Sequence, residues 1–165
     1  MRSVFVLGLA AAYLLSACQP SARFSSENRV GDDRPVFMEN GITDADLERF
    51  VQDWLNVPYH YGGMSKSGVD CSGFSTITMR RVYGLQIPRT ASQQYTQGKT
   101  VRMHALLPGD LVFFKNVRGR GVDHVGIYLG NNRFAHATES TGVTISELYD
   151  SYYQERLAGA CRYRE

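Results

Sequence analysis

Asp70-Cys71-Ser72-Gly73-Phe74-Ser75-Thr76-Ile77, running on to Tyr83-Gly84, is the stretch on which the reading of the fold turns. Asp70 is a good N-cap, because its carboxylate can accept from the free N–H groups of a first helical turn, and this places Cys71 in that turn. On its N-terminal side, Pro58-Tyr59-His60-Tyr61-Gly62-Gly63-Met64-Ser65-Lys66-Ser67-Gly68 reads as a loop by its glycine content. Before the loop, Thr43 can cap the run Asp44-Ala45-Asp46, and Leu47, Phe50, Val51, Trp54 and Leu55 follow at helical spacing until Pro58 stops them. After Pro88 and a polar stretch from Arg89 to Gly98, the pattern turns to strands. These are Leu111 to Phe114, Asp123 to Leu129, Arg133 to Thr138, Val143 to Ser146 and Leu157 to Tyr163. Helices first and an antiparallel sheet after them predict an α+β domain and argue against a doubly wound one.

Composition bounds the rest. A chain of 165 residues, 43% apolar and 21% charged with net charge +2, fits one compact domain and is too apolar for intrinsic disorder. The 18 basic residues are interleaved with 16 carboxylates, so no polycationic face for nucleic acid is implied. Cys18, Cys71 and Cys161 are too few and too widely spaced for a disulfide scaffold or a zinc ribbon. Neither a metal nor another cofactor is expected.

At the N-terminus, Arg2 precedes an apolar run from Val4 to Leu15, followed by Leu15-Ser16-Ala17-Cys18, small residues before a cysteine at the place where an export signal is cut. The tetrapeptide resembles the lipobox of bacterial lipoproteins. That resemblance implies cleavage after Ala17, diacylation of the Cys18 sulfur and acylation of its new amino group, which gives the two or more chains that stable anchoring requires. Gln19 is not the aspartate that tends to retain lipoproteins in the inner membrane of enteric bacteria. A host with an outer membrane would therefore hold the protein there, facing the periplasm. Residues 19–40 lack periodicity and read as a tether that spans on the order of 70 Å when extended. The expected organisation is a signal peptide at 1–17, a lipidated cysteine and tether at 18–40, and a catalytic domain at 41–165.

Chemistry concentrates at Cys71, His124 and His136. A helix N-terminus favours thiolate over thiol, and Cys71 has that position. In the strand from Asp123, His124 shares a face with Gly126 and Tyr128, away from Val125, Ile127 and Leu129. His136 shares its face with Phe134 and Thr138. An odd-length loop around Leu129-Gly130-Asn131 would set the two imidazoles side by side, roughly 5 Å apart at Cβ. A two-residue turn would split them across faces unless a bulge intervened. Nucleophile, base and orienting group are then all present. Each residue singly could also be structural. A metal site on the same three side chains would lack HExxH or CxxC spacing and a fourth ligand.

Taken in order, Pro58-Tyr59-His60-Tyr61-Gly62-Gly63, Asp70-Cys71-Ser72-Gly73-Phe74, Pro108-Gly109-Asp110-Leu111-Val112-Phe113-Phe114, Asp123-His124-Val125-Gly126-Ile127-Tyr128 and Phe134-Ala135-His136-Ala137 resemble the NlpC/P60 family of papain-like cell-wall peptidases over about residues 43 to 163. The resemblance implies an α+β papain-like fold with the nucleophile at a helix N-terminus packed on an antiparallel sheet. It implies Cys71 as nucleophile, His124 as general base, His136 as the polar third member and Tyr59 as a hydroxyl at the oxyanion site. Ser72 would help through its backbone N–H or hydroxyl. The implied substrates are peptidoglycan stem peptides, cut between γ-D-glutamate and diaminopimelate or at D,D crosslinks. Unlike many members, this chain has no recognisable SH3-like or LysM module and most resembles the small stand-alone lipoproteins of the family. Arg89, Arg118 and Arg120 are candidate carboxylate readers, beside the plainer reading of solvated surface. Cys161 reads as a buried unpaired thiol. Two other functions stay open: acyl transfer to an acceptor other than water, and non-catalytic wall binding, against which the intact Cys71, His124 and His136 set argues.

Overall fold

The computed structural model describes residues 43–164; the signal peptide, Cys18, the tether and residues 41 and 42 lie outside the described residues. Helix α1 (Asp44–Trp54) begins with a capping box, in which the Thr43 hydroxyl accepts from the Asp46 N–H and the Asp46 carboxylate accepts from the Thr43 N–H. It buries Leu47, Val51 and Trp54. A small ribbon of β1 (Met64–Ser65) and β2 (Gly68–Val69) follows. Helix α2 (Cys71–Tyr83) starts at Asp70 and ends at Gly84, whose φ of 68° is the left-handed geometry that lets a helix terminate without a Cβ penalty. Helix α3 (Ala91–Gln97) leads to β3 (Lys99–Val101) and a 3-10 turn at Met103–Ala105. The strands β4 (Leu111–Lys115), β5 (Val122–Gly130), β6 (Arg133–Thr138) and β7 (Gly142–Glu147) come next, then helix α4 (Ser151–Arg156) and β8 (Leu157–Arg162).

The main sheet has the order β3-β8-β4-β5-β6-β7, with every neighbour antiparallel. Strand β8 returns to lie between β3 and β4, so β4 is flanked on both sides. The core follows from strand alternation. Leu111 and Phe113 face the helices with Val125, Ile127 and Phe74, whereas Val112 and Phe114 pack on the other face with Phe134 and Leu148. Phe74 on α2 is fully buried, its ring 5.9 Å from that of Trp54. Truncating it to alanine would cost about 3–5 kcal/mol, and its contact with Trp54 joins α2 to α1.

Of the two hairpins the sequence allows, the one that carries both histidines is the two-residue turn with a bulge. Its turn is two residues, Asn131 and Asn132, both at positive φ (50° and 63°), as tight hairpin turns demand. The parity is restored by a register shift between Tyr128 and Gly130, a bulge that absorbs Leu129. Continuing the pairing of Ile127 with Ala135 by one step puts His136 opposite Gly126. The two imidazoles are therefore diagonal neighbours on one face, not directly opposed.

Candidate active site

Asp70 organises the nucleophile end of the site. Its carboxylate accepts from the Gly73 N–H at 2.6 Å, which caps α2, and from the Gly62 N–H at 2.8 Å, which ties the preceding loop to the helix. Arg89 closes the arrangement with a fork: Nη1 to Asp70 Oδ1 at 2.9 Å and Nη2 to Asp70 Oδ2 at 2.7 Å. The same guanidinium donates to the Ser72 hydroxyl at 2.9 Å and the Gly63 carbonyl at 3.3 Å. Burial pushes the Asp70 carboxyl up, but the bonds from Arg89, Gly73 and Gly62 outweigh it and hold the group below its ordinary value. Gly73 is required by close approach, since a Cβ there would lie 2.4 Å from the Gly63 carbonyl oxygen. The Ser72 hydroxyl also donates to Asp70 Oδ1 and so is spent inside this clamp, leaving its backbone N–H as the group that can serve a substrate.

Cys71 is 4% exposed and its Sγ lies 4.0 Å from the Asp123 carbonyl. Burial pushes the thiol up to about 11, against the opposing pull of backbone N–H groups of Val125 and Ser72. Thiolate stabilisation by the helix N-terminus alone, expected from the sequence, is thus outweighed by desolvation. The backbones of Asp123 and Val125 both reach the thiol, which brings β5 against it at the position of His124.

His124 is 3% exposed; its Nε2 is 2.8 Å from His136 Nδ1, while its Nδ1 is buried and has no hydrogen-bond partner. Burial lowers the imidazole to about 4, partly offset by the Asp123 carboxylate. His136 is fully buried and is also lowered well below its ordinary value, first by burial and then by the neighbouring His124. Its Nε2 lies 2.9 Å from the Ser146 hydroxyl on β7, and its ring meets the edge of Tyr153 with centroids 5.3 Å apart. Burial thus favours the neutral forms of the thiol and of both imidazoles.

Tyr59 is bridged to Val69 beside the ribbon, and its hydroxyl accepts from Arg118. Burial raises the phenol to about 12, against the Arg118 charge, so it stays a proton donor at neutral pH. A cavity of about 540 Å³ opens beside Cys71, lined also by Ser72, Arg89 and Arg118. A smaller one of about 300 Å³ opens beside His124, lined also by Tyr59, Arg118 and Tyr153.

The NlpC/P60 family model matches residues 56–162. The chain belongs to the NlpC/P60 family. It is 42% identical over 158 residues to the probable endopeptidase NlpC of Escherichia coli K12, covering 96% of this chain and 98% of that protein. It is 38% identical over 170 residues to the murein DD-endopeptidase MepS/murein LD-carboxypeptidase of the same organism, covering 93% and 88%. A crystal structure of an NlpC/P60 family protein from Bacillus cereus superposes with a TM-score of 0.67 at 36% identity, covering 73% of this chain and 40% of that one. The α+β papain-like fold read from the sequence is thereby the fold of this chain.

Within this NlpC/P60 domain, Cys71 and Ser72 line the larger cavity and Tyr59 and His124 the smaller one; Arg118 lines both, and His136 is fully buried against His124. The structure also adds two residues that sequence reasoning missed or undervalued. Arg89, read mainly as surface, is the internal partner of Asp70. Ser146 lies in a strand pattern of the sequence, and the alternation that puts it on the face of His136 across β6 and β7 is the available signal. Arg120 is exposed.

Proposed function

We propose that this protein is a peptidoglycan hydrolase that cuts amide bonds of stem peptides or crosslinks through an acyl-enzyme at Cys71. One observation carries the assignment of roles: His124 keeps a buried, unpartnered Nδ1 beside the strand segment that touches the Cys71 sulfur, while its Nε2 is tied to His136. With Nε2–H donating to His136, Nδ1 is the acceptor, and the thiol proton passes to it as Sγ attacks the carbonyl carbon. The oxyanion that forms meets the Tyr59 hydroxyl and the Ser72 N–H. His124 then returns its proton to the leaving amine, and the C–N bond breaks to leave a thioester. A water, deprotonated by His124, attacks the thioester and releases a free carboxylate and the thiol. The names of the two Escherichia coli relatives, an endopeptidase and a murein endopeptidase/carboxypeptidase, support the substrate class. The lipobox resemblance and the tether support an envelope protein held by acyl chains at Cys18 within reach of the wall, at the outer membrane where the host has one.

The test is mass spectrometry of muropeptides after incubation with residues 41–165. Crosslinked dimers, monomeric tetrapeptides and a free L-Ala-γ-D-Glu-diaminopimelate tripeptide are compared under one set of conditions. Cleavage of the crosslinked or muramyl-linked substrates, with a new free carboxylate, is the expected result. Cleavage confined to the free tripeptide would turn the assignment toward recycling, and an amide or ester of an added acceptor as product would mark a transferase.

A further inference from the structure

Arg118, on the loop between β4 and β5, lines both the cavity beside Cys71 and the one beside His124. Its guanidinium lies over the rings of Tyr59, at 4.9 Å, and Tyr61, at 5.4 Å, and donates to the Tyr59 hydroxyl. Its other terminal nitrogen, Nη2, is 2.7 Å from Glu139 Oε1, which reaches across from the turn between β6 and β7. We infer that Arg118 is a specificity residue that binds a substrate carboxylate near the scissile bond, and that Glu139 is the carboxylate the substrate displaces. The inference rests on the reading of this site as a hydrolase of peptidoglycan peptides.

Three observations carry it. First, of the two arginines beside Cys71, Arg89 is committed to a nearly buried internal carboxylate, whereas the partner of Arg118 is a side chain that is 61% exposed. An ion pair with a partner so exposed is a weak contact, readily exchanged for an equivalent one. Second, the guanidinium itself is fixed. Two aromatic faces and the Tyr59 hydroxyl contact it, and the side chain as a whole is 30% exposed, so the charge is already positioned before a ligand arrives. Third, Glu139 shows that a carboxylate fits on Nη2 at hydrogen-bond distance within the cleft. Peptides of the proposed class carry such a carboxylate on diaminopimelate, the residue that supplies the amine side of either bond. Since Arg118 also donates to the proposed oxyanion hydroxyl, a carboxylate on it would sit close to the reacting carbonyl.

The experiment uses the muropeptide that the wild-type domain cleaves, in two forms that differ only in whether the diaminopimelate carboxylate is free or amidated. The wild type should favour the free acid by about tenfold or more in kcat/KM, as expected for one charge-assisted contact. Arg118→Gln should slow both peptides, because Tyr59 loses its donor, and should bring their ratio close to one. Glu139→Gln removes the competing carboxylate and should lower KM for the free acid while leaving KM for the amide unchanged. A preference ratio that survives Arg118→Gln overturns the inference, because a merely structural arginine would slow both peptides equally. So does a wild type indifferent to amidation. Should Arg118→Gln fail to fold, the KM of the surface variant Glu139→Gln decides: no change for the free acid refutes the exchange. A wild type that cleaves neither form refutes the function on which the inference stands.

Discussion

His124 and His136 are joined through Nε2 and Nδ1 at 2.8 Å, and the far nitrogen of His136 continues to the Ser146 hydroxyl at 2.9 Å. This line of contacts couples the tautomers of the two rings, because the proton on one determines the proton on the other. If Nδ1 of His124 is to accept the thiol proton, its Nε2 carries the hydrogen and donates to His136 Nδ1, and His136 Nε2–H donates to Ser146. No titratable carboxylate takes part. The orienting group is a neutral imidazole in an apolar pocket shared with Phe134 and Tyr153, so it holds the base by direction and polarisation without supplying a full charge.

Cys71→Ala is expected to abolish hydrolysis with the fold retained, and Cys71→Ser to be nearly as inactive, since a hydroxyl is far harder to ionise. His124→Ala should cost about 10²–10⁴-fold in kcat, the range for loss of a general base. His136→Ala should cost less, with partial recovery in His136→Asn, and Ser146→Ala less again, because each step is further from the transferred proton. Steady-state rates with far-UV circular dichroism check the series. Equal and total loss at both histidines, without rescue by Asn, would reverse the roles.

The buried histidines also make a signed prediction for stability. The folded His124 protonates at about 4 and an unperturbed one at 6.5, so between these values the unfolded chain binds a proton that the folded chain does not. Stability is therefore fully present above pH 6.5 and falls as pH drops toward 4, by about 1.4 kcal/mol per unit for this group, to a total of about 3 kcal/mol. His136 adds a loss of the same sign. The depressed carboxyls of Asp70 and Asp123 act only below their ordinary value of 3.8, so the window from 6.5 to 4 belongs to the histidines. Urea midpoints at pH 7.5 and 4.5 should differ, and His124→Gln should narrow the gap. A wild type equally stable at both would refute the burial argument.

Arg89→Gln strands the nearly buried Asp70 carboxylate and frees the Ser72 hydroxyl and Gly63 carbonyl together. Because Arg89 is partly exposed, a loss of about 1–3 kcal/mol is expected, short of that for a fully buried pair. Arg89→Lys should rescue little, since an ammonium cannot span both carboxylate oxygens. The kinetic signature is a fall in kcat larger than the rise in KM, as Cys71 and the Gly62-Gly63 loop lose their common anchor. A variant with lowered stability and unchanged kcat would make the clamp purely structural.

How far the sequence disclosed this site depends on the kind of contact. Helix α2 is legible to the residue, because an N-cap at Asp70 and a left-handed Gly84 are local signals. Strands β5 and β6 lie within one residue of their expected limits, because alternation over a buried sheet is strong. For the hairpin turn the sequence leaves two routes open, an odd-length loop or a two-residue turn with a bulge, since a bulge at Leu129 changes register without changing composition. Helix α3 was hidden for a different reason: Ala91–Gln97 is polar, and Gln94 is buried by bonding Ser75, Ser72, Thr76 and Pro88 from elsewhere in the chain. The long-range pairs were equally silent, Arg89 with Asp70 and Arg118 with Glu139, because they depend on which loops the fold brings to one cleft.

Cys18→Ser tests the proposed anchor. Among the described residues no helix is long and apolar enough to cross a membrane. The proposed attachment of the mature chain is through acyl groups on Cys18. One acyl chain gives marginal, reversible binding and two or more give stable anchoring, and the lipobox reading supplies the larger number. The wild type should therefore fractionate with membranes and resist extraction by salt, which removes charge-held proteins. Its mass should be that of residues 18–165 plus the acyl additions. Cys18→Ser should lose the additions and stay with the soluble envelope fraction if an alternative signal cut occurs. If that cut fails, it should remain uncleaved at the mass of 165 residues. Measuring mass together with fractionation separates these outcomes. A wild type found in membranes at the full, unmodified mass would show that the apolar run from Val4 to Leu15 is itself the anchor, and would remove the lipid from the proposal.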